Sequence, residues 1–301
     1  MTAGATIARS RVCSAPMSSG KTDLAGRNIL ITGANTGIGR ATAEMLAARG
    51  AHVTLACRSL EKTQPVLEGI RAAGGSADGV ALDLGDLDQV RQCAEALLAG
   101  DRPINVLLNN AGLAGTRGLT RSGFELAFGT NHVGHFLFTM LLVPRLLASP
   151  SSRIVNVASK SHYQAKGIDF DAVRTSTSTI TGLPEYEVSK LANVLFTKEL
   201  ARRLGPKGVH SYSLHPGVVA SDAWRRIPWP IRPLLKLSMI TNEKGALTSI
   251  HCATSPEVAG DDGLYYDKCR ETKPNPLAED AALARQLWEK SVEWTGADLP
   301  S

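Results

Sequence analysis

The stretch that decides the fold is residues 28–49, which read NILITGANTGIGRATAEMLAAR. An apolar, β-branched run leads into a turn with three glycines, and the turn leads into a segment with apolar residues at helical spacing. Such glycines let the backbone approach a pyrophosphate, and the N–H groups that open the helix favour the anion. We therefore predict a dinucleotide site; a glycine-rich turn without a ligand is the alternative. The candidate contacts are Gly33, Asn35, Thr36, Gly37, Ile38 and Gly39.

Strand-like and helix-like segments alternate along the rest of the chain. The predicted strands are residues 28–32, 52–56, 79–82, 105–109, 153–157, 209–214 and 264–266. Alternation repeated this often predicts a Rossmann-type, doubly wound α/β fold, with a parallel sheet of about seven strands and helices on both faces. No linker rich in Pro, Gly or Ser divides the chain, so residues 23–301 are predicted to form a single domain.

Composition narrows the function classes. The 301 residues carry 33 Lys and Arg against 28 Asp and Glu, and the net charge of +5 is spread along the chain. This pattern predicts no nucleic-acid partner and favours a small anionic ligand. The five cysteines lie far apart without metal-ligand spacing, which predicts neither a disulfide framework nor a zinc site. No run approaches the roughly 18 apolar residues of a spanning helix, so a cytoplasmic protein without membrane contact is expected.

Residues 1–22 differ in composition from the rest of the chain. They contain three basic residues and no acid, are rich in Ser, Thr, Gly and Ala, and lack the apolar core of a secretory signal. A flexible tail is predicted. A transit-like segment and a true start at Met17 are the alternatives.

The end of the second predicted strand carries a basic residue. Residues 56–59 read ACRS, and Arg58 is the charged residue among them. Enzymes that use NAD hold the ribose 2′-OH with a carboxylate at this place. A guanidinium pairs instead with a 2′-phosphate, so we predict a preference for NADP(H) over NAD(H). The alternative is that Arg58 is an ordinary solvated loop residue.

A tyrosine and a lysine share one face of a predicted helix. Residues 185–204 read EYEVSKLANVLFTKELARRL, in which Tyr186 and Lys190 are four positions apart. A free phenol titrates at about pH 10, and a nearby cation lowers its pKa, which makes it a better proton shuttle. A YxxxK pair alone is common by chance, but after the glycine-rich turn it predicts a proton-transfer site.

Together these motifs resemble the short-chain dehydrogenase/reductase superfamily. The glycine spacing is TGxxxGxG, and it is followed by NNAG at 109–112 and by YxxxK. HVGHFLFT at 132–139 and SKLANVLF at 189–196 are most similar to the retinol dehydrogenase-like branch, and the likeness extends over about residues 24–296. The resemblance implies hydride transfer between a nicotinamide, usually NADP(H), and a lipophilic alcohol, aldehyde or ketone.

The resemblance implies a role for each of four residues. Tyr186 donates a proton to the carbonyl oxygen in reduction and removes it in oxidation. Ser159, after strand 153–157, holds that oxygen, with Ser161 as the competing candidate. Lys190 lowers the pKa of Tyr186 and binds the nicotinamide ribose. Asn131 orders a water chain to Lys190, unless its side chain satisfies buried backbone groups instead.

The resemblance also extends the cofactor site beyond the first turn. It places an Asp-Leu pair beside the adenine, although an Asp after a strand is often a turn or cap residue. It places part of NNAG against the cofactor, and the segment after the sixth strand against the nicotinamide carboxamide. These further candidates are Asp83, Leu84, Asn110, Ala111, Gly112, Pro216, Gly217, Val219 and Ser221.

Residues 222–241 form a candidate substrate lid. Residues 224–240 read WRRIPWPIRPLLKLSMI, where apolar groups alternate with basic residues and three prolines prevent one long helix. As a lid, the segment would place an apolar wall over the nicotinamide, which suits a small lipophilic substrate. A helix packed on the domain and an interfacial membrane segment are the alternatives. The candidate substrate contacts are Ser159, His162, Trp224 and Trp229.

The histidines do not predict a metal. No carboxylate or cysteine completes a ligand set with His132, His135 and His162, so core or pocket histidines are favoured. Two functions compete with a carbonyl reductase or alcohol dehydrogenase: a protochlorophyllide-type reductase and a catalytically silent NADP-binding regulator. The resemblance further implies a homodimer or homotetramer, assembled through the helices that contain Asn131 and Tyr186.

Overall fold

A computed structural model describes residues 22–217 and 240–300. Within these residues, eight strands form one sheet in the order β3-β2-β1-β4-β5-β6-β7-β8. The strands are β1 Asn28–Thr32, β2 His52–Cys57, β3 Ser76–Ala81, β4 Val106–Asn109, β5 Ser152–Val157, β6 Val209–His215, β7 Leu264–Asp267 and β8 Arg270–Glu271. All neighbouring pairs are parallel except β7 and β8, which are antiparallel.

Helices cover both faces of the sheet. They are α1 Gly37–Ala48, α2 Leu60–Ala72, α3 Leu87–Ala99, α4 Leu126–Leu147, α5 Leu183–Leu204, α6 Asn242–Thr254 and α7 Ala281–Thr295. The apolar sides of α1, α2 and α6 pack on one face, and those of α3, α4 and α5 pack on the other. The predicted doubly wound α/β fold is confirmed, with eight strands rather than about seven.

The order of the strands places the site. The chain moves outward from β1 to β2 and β3, and then returns to the other side of β1 as β4. Open α/β sheets bind ligands where the strand order reverses, outside the carboxyl ends of the strands. The crevice between the ends of β1 and β4 is therefore where a cofactor is expected.

Two edges of the sheet differ from the sequence prediction. β3 begins at Ser76, three residues before the predicted start. Its residues Asp78 and Gly79 are exposed to solvent, and a strand at the edge of a sheet tolerates such exposed residues. β8 was not predicted, because it is only two residues long. It pairs with β7 through a turn at Lys268 and Cys269, whose φ angles of 51° and 58° are typical of a tight hairpin.

Helix α4 is apolar enough, and at 22 residues long enough, to cross a membrane, but 83% of its most apolar window is buried inside the fold. It is therefore a core helix of this domain. Helix α7 covers it: the rings of Phe136 in α4 and Phe196 in α5 lie 5.1 Å and 6.0 Å from that of Trp288 in α7. Much of the apolar surface of α4 and α5 is thus packed within this chain, and the expected subunit contact through these helices stays a prediction.

Cysteines occur in two states in the described part of the chain. Cys57, Cys93 and Cys252 are buried free thiols, and burial raises the pKa of each, that of Cys93 to about 12. Cys269 is disulfide-bonded. The spacing of the cysteines predicted no disulfide framework and did not indicate this bond.

Candidate active site

The glycine-rich turn lies at the carboxyl end of β1, and its glycines are required by close contacts. Gly33 has a φ of +66°, and a Cβ there would lie 2.9 Å from Ala111 Cα. A Cβ on Gly39 would lie 2.4 Å from Asn110 Nδ2 and 2.5 Å from the Gly33 carbonyl oxygen. Both contacts are shorter than side chains tolerate, so the turn and the 110–112 loop can pack together only with glycine at these positions.

The first turn of α1 is open to an anion. Thr36 precedes the helix but makes no side-chain capping hydrogen bond, and the first turn contains no acidic residue. The N–H groups at this end therefore have no side-chain partner among the described residues. Asn35, Thr36, Gly37 and Ile38 are all at least partly exposed. Together with the partial positive charge of the helix end, this arrangement fits a pyrophosphate.

Thr32 joins the end of β1 to the loop after β4. Its hydroxyl accepts hydrogen bonds from the backbone N–H groups of Asn110 at 3.0 Å and Ala111 at 2.9 Å. The Asn110 side chain donates in return to the Thr32 carbonyl at 2.8 Å. The 110–112 loop, predicted to contact the cofactor, is thereby held beside the glycine-rich turn, and Gly112 is exposed at its end.

Among the candidates on the adenine side, Arg58 is exposed, whereas Asp83 and Leu84 make contacts within the fold. Arg58 is exposed at the end of β2 and has no ion pair with any residue of 22–217 or 240–300. Asp83 accepts a hydrogen bond from Gly85 N–H at 2.9 Å, so it has the turn role that was the alternative interpretation. Leu84 is buried, and its carbonyl lies against Gly134 of α4.

Lys190 and Asn131 meet behind the 110–112 loop. The ammonium of Lys190 donates to the Val157 carbonyl at 2.8 Å, and burial lowers the pKa of this lysine to about 7. A Cβ on Gly112 would lie 3.3 Å from both Lys190 Nζ and Asn131 Oδ1. Residues from α4, α5 and the loop after β4 are thus brought to one point.

The Asn131 side chain is fully hydrogen-bonded. Its Oδ1 accepts from Leu113 N–H at 2.9 Å, and its Nδ2 donates to the Leu113 carbonyl at 3.0 Å and to Ser189 Oγ at 2.9 Å. Ser189 in turn donates to the Tyr186 carbonyl at 2.7 Å. The side chain therefore satisfies backbone groups, as the alternative interpretation held. Asn131 lies in a π-helical turn, Gly129–Val133, a feature found frequently at functional sites.

Tyr186 and Ser159 lie together at the carboxyl edge of the sheet. Burial raises the pKa of the Tyr186 phenol, and a hydrogen bond with Ser159 acts in the opposite direction. Lys190 Nζ lies 5.6 Å from the centroid of the Tyr186 ring, with its hydrogen bond directed at Val157. The expectation that Lys190 lowers this pKa is therefore corrected: in this arrangement of the side chains burial dominates, and the phenol is protonated at neutral pH.

Ser159 caps the short helix that comes after it. Its hydroxyl accepts from Ser161 N–H and donates to Ser161 Oγ, both at 3.2 Å. His162, expected to contact substrate, has no exposed surface. Its two ring nitrogens are bonded to the Ser159 carbonyl at 2.6 Å and to Asn275 N–H at 3.0 Å. The substrate role of His162 is corrected here, because a buried and fully bonded ring is not available to a ligand.

Part of the nicotinamide side lies outside the described residues. Pro216 and Gly217 follow β6 at the carboxyl edge, and Gly217 has a φ of +96°. A Cβ on Gly217 would lie 2.3 Å from Ile240 Cδ1. The candidate residues outside the described ranges are Val219, Ser221, Trp224 and Trp229, together with most of the candidate lid and residues 1–21.

Sequence reasoning missed three supporting residues. Thr32 was seen only as part of a strand, Ser189 only as part of a helix, and His135 only as a core or pocket histidine. The ring of His135 bonds both the Asn131 carbonyl and the Thr32 hydroxyl. The threonine of TGxxxGxG was a usable signal, because it ends a strand beside the 110–112 loop. No sequence signal pointed to the partners of Ser189 or His135.

Comparisons with known proteins agree with this geometry. A family model for short chain dehydrogenases matches residues 27–229. This chain belongs to the short-chain dehydrogenase/reductase family. Retinol dehydrogenase 13 of Homo sapiens is 38% identical over 292 residues, covering 93% of this chain and 88% of the relative. Retinol dehydrogenase 12 of Homo sapiens is 40% identical over 282 residues, covering 91% and 87%. The retinol dehydrogenase-like branch is thereby confirmed.

Solved structures with the same fold superpose on this dehydrogenase. A protein from Mycobacterium paratuberculosis, described as uncharacterised, has a TM-score of 0.75 and 31% identity, with coverage of 93% of this chain and 99% of that one. A protein described as an NAD(P)-dependent gluconate 5-dehydrogenase of Beutenbergia cavernae, with NADP bound at low occupancy, has a TM-score of 0.68 and 28% identity, with coverage of 83% and 97%. The present dehydrogenase is an NAD(P)-dependent oxidoreductase acting on CH–OH and C=O groups.

Proposed function

We propose that this dehydrogenase catalyses hydride transfer between NADP(H) and a small lipophilic carbonyl or alcohol, as a retinol dehydrogenase-like carbonyl reductase or alcohol dehydrogenase. The observation that carries the proposal is the meeting of Tyr186 and Ser159 at the carboxyl edge of the sheet, with Lys190 and Asn131 behind them. A nicotinamide supplies the hydride when bound. The residues of this chain supply the proton and hold the oxygen.

Tyr186 has the protonation state that carbonyl reduction needs. Because burial raises its pKa, the phenol carries its proton at neutral pH and can donate it to the oxygen of a carbonyl. Ser159 donates a hydrogen bond to the same oxygen as negative charge develops there. Oxidation of an alcohol requires the phenolate, so in that direction the rate is expected to rise with pH.

Lys190 and Asn131 support this pair from behind. Lys190 Nζ lies beside the 110–112 loop, where its ammonium can hold ribose hydroxyls as well as the Val157 carbonyl. Asn131 fixes the backbone of Leu113 and, through Ser189, the first turns of α5. It is a positioning residue in this scheme, because its side-chain amide is bonded to Leu113 and Ser189.

A preference for NADP(H) is supported by Arg58. Its guanidinium is exposed at the end of β2, the place where NAD enzymes hold the ribose with a carboxylate. Within the residues that the structure describes, no acid neutralises it. A planar guanidinium can therefore pair with a 2′-phosphate in a bidentate manner.

Catalytic efficiency with the two cofactors tests this preference. The ratio of kcat/KM for NADPH to that for NADH should exceed about 10 in the wild type and fall below one in Arg58→Asp, because each charge-assisted contact is worth roughly 1.5–3 kcal/mol. Lys207→Asp, in the exposed turn before β6, makes the same change in charge at the amino ends of the strands, away from the cofactor. It should leave the ratio unchanged. Equal efficiencies in the wild type would contradict the preference.

A panel of carbonyl compounds tests the substrate class. Relatives named retinol dehydrogenase at 38–40% identity support a lipophilic substrate. We expect NADPH absorbance to be lost with medium-chain and aromatic aldehydes or ketones, and kcat/KM to rise with apolar surface. Turnover confined to short polar carbonyls would contradict the lipophilic class. Tight NADPH binding without turnover of any member would favour a silent regulator.

A further inference from the structure

Two histidines outside the Asn-Ser-Tyr-Lys set make the same contact on opposite sides of the crevice. His135 Nδ1 lies 2.9 Å from the Asn131 carbonyl oxygen, and His162 Nδ1 lies 2.6 Å from the Ser159 carbonyl oxygen. Both imidazoles are buried, with 1% and 0% of their surface exposed. Each therefore holds the backbone of one residue of the proposed catalytic set.

The partners of His162 determine which nitrogen carries the proton. The Ser159 carbonyl can only accept a hydrogen bond, so His162 Nδ1 must donate. The backbone N–H of Asn275, 3.0 Å from Nε2, can only donate, so Nε2 must accept. The ring is consequently neutral and in a single tautomer. Burial, which lowers the pKa of His162, acts in the same direction.

The partners of His135 lead to the same tautomer. The Asn131 carbonyl requires Nδ1 to donate, and Nε2 then accepts from the Thr32 hydroxyl at 2.8 Å. The Thr32 oxygen uses its lone pairs for the N–H groups of Asn110 and Ala111. Every donor and acceptor in this series of hydrogen bonds has a partner, and burial lowers the pKa of His135 to about 4, which keeps the ring neutral.

Neither histidine can act as a proton relay. The hydrogen-bond series from Asn131 through His135 ends at Thr32, whose oxygen faces two backbone N–H groups that do not release protons. The series from Ser159 through His162 ends in the same way at Asn275. Groups with this geometry can hold a backbone in place but cannot carry a proton to solvent.

We propose that His135 and His162 are positioning residues for the reaction, each fixing the backbone of a catalytic-set residue through a neutral Nδ1–H. The proposal rests on the function proposed above. His162 holds the Ser159 hydroxyl in register with the phenol, and Asn275 anchors the same loop by donating to the His162 carbonyl at 2.9 Å. His135 couples α4 to the end of β1, so it acts on the cofactor side through Thr32.

Three substitutions at each histidine separate the two ring nitrogens. Asn places a donor near the position of Nδ1, Gln places an acceptor near that of Nε2, and Phe keeps the ring volume without either. We expect kcat to fall about 10²-fold in His162→Phe, because small misplacements of reacting groups cost about that much. His162→Asn should recover most of the loss and His162→Gln little, with KM for NADPH unchanged in all three.

Substitutions at His135 should change both kcat and the affinity for NADPH. His135→Phe should lower kcat and also weaken NADPH binding, because Thr32 loses a partner beside the 110–112 loop. His132→Phe is the matched control. His132 lies in the same helix, is equally buried, and bonds Ser291 of α7 at 3.0 Å rather than any residue of the site. It should lower stability and leave kcat of the folded enzyme within about threefold of the wild type, as for sites outside the chemistry.

Nitrogen-15 NMR of the histidine-labelled protein identifies the tautomer of each ring and does not depend on enzyme activity. Two of the seven histidine signals, identified by their loss in the His135→Asn and His162→Asn variants, should show neutral Nδ1–H rings from pH 6 to 8. A charged ring, an Nε2–H tautomer, or rescue by Gln as complete as by Asn would overturn the proposal. Should the Phe variants fail to fold, the Asn and Gln pair decides.

The histidine proposal and the proposed function fail differently. A wild type that turns over no member of the carbonyl panel contradicts the function. An active wild type whose folded His135→Phe and His162→Phe variants keep full kcat contradicts only the roles of the histidines.

Discussion

The two sides of the crevice are held together by different means. On the cofactor side, Gly33 and Gly39 are needed because backbone and side-chain atoms of the neighbouring loop approach to less than 3 Å of where a Cβ would stand. On the substrate side, Ser159 and Tyr186 are positioned by hydrogen bonds from buried side chains. The first kind of constraint can be recognised in the sequence, because it requires a glycine. The second kind, a hydrogen bond from a buried side chain, cannot be recognised from the neighbouring residues in the sequence.

The largest effect should come from the substrate side. Tyr186→Phe removes the proton donor and keeps the ring, so kcat should fall by about 10²–10⁴, the usual contribution of general acid catalysis. Steady-state reduction of an accepted aldehyde with NADPH measures it. Retention of more than about a tenth of the wild-type kcat would contradict the mechanism, and an unchanged Kd for NADPH would show that the cofactor side is intact.

The cofactor side should respond to a single methyl group. In Gly39→Ala the new Cβ must displace Asn110 or the turn itself, an overpacking that costs about 1–3 kcal/mol and weakens NADPH binding by about 10- to 100-fold. Fluorescence titration with NADPH measures the Kd. Gly69→Ala, exposed in the last turn of α2 with nothing within 4 Å, is the matched control and should raise stability by about 0.5–1 kcal/mol. Wild-type NADPH affinity in Gly39→Ala would show that the glycine-rich turn is not closely packed against the 110–112 loop.

Lys190, between the two sides, should make stability depend on pH. Because burial lowers its pKa from 10.5 to about 7, the unfolded chain binds more protons than the folded one between these values. The free energy of unfolding should therefore rise as pH rises from 7 towards 10, by about 3.5 kcal/mol relative to Lys190→Met. Urea unfolding of both proteins at several pH values measures the difference.

A second lysine substitution excludes a general charge effect. Lys207→Met, in the exposed turn before β6, removes one positive charge at the amino ends of the strands. The free energy of unfolding of this variant should depend on pH as that of the wild type does. A difference between wild type and Lys190→Met that stays constant with pH would mean that the ammonium is not buried as the structure has it.

The smallest effect is expected at Ser161, and it is measured against its neighbour Ser159. Ser159→Ala should lower kcat by about 10²–10³, the loss found when an oxyanion donor is removed. Ser161→Ala removes only a contact to the Ser159 hydroxyl and should change kcat/KM by less than about threefold. Equal losses in both variants would reopen Ser161 as the residue that holds the substrate oxygen.

Much of the fold could be predicted from local pattern. β1 has the predicted bounds, and the helix with Tyr186 and Lys190 starts at Leu183, two residues before the predicted helical stretch. The errors lie where a residue's environment depends on distant parts of the chain. His162 was assigned to the substrate because it follows Ser159, yet its ring is covered by Asn275, 113 residues away. The pKa of Tyr186 was expected to fall because Lys190 is near in sequence, yet burial raises it.

The sequence alone determined the alternation of strands and helices, the glycines that a close backbone approach requires, and the types of reactive side chain. These features are local, since each depends on residues within one or two turns of chain. Only the tertiary structure decided which way Lys190 directs its ammonium, which tautomer His135 adopts, and that α7 covers α4 and α5. Each of these depends on contacts between residues far apart in the chain, 103 positions for Thr32 and His135, and such contacts exist only once the sheet has brought its carboxyl ends together.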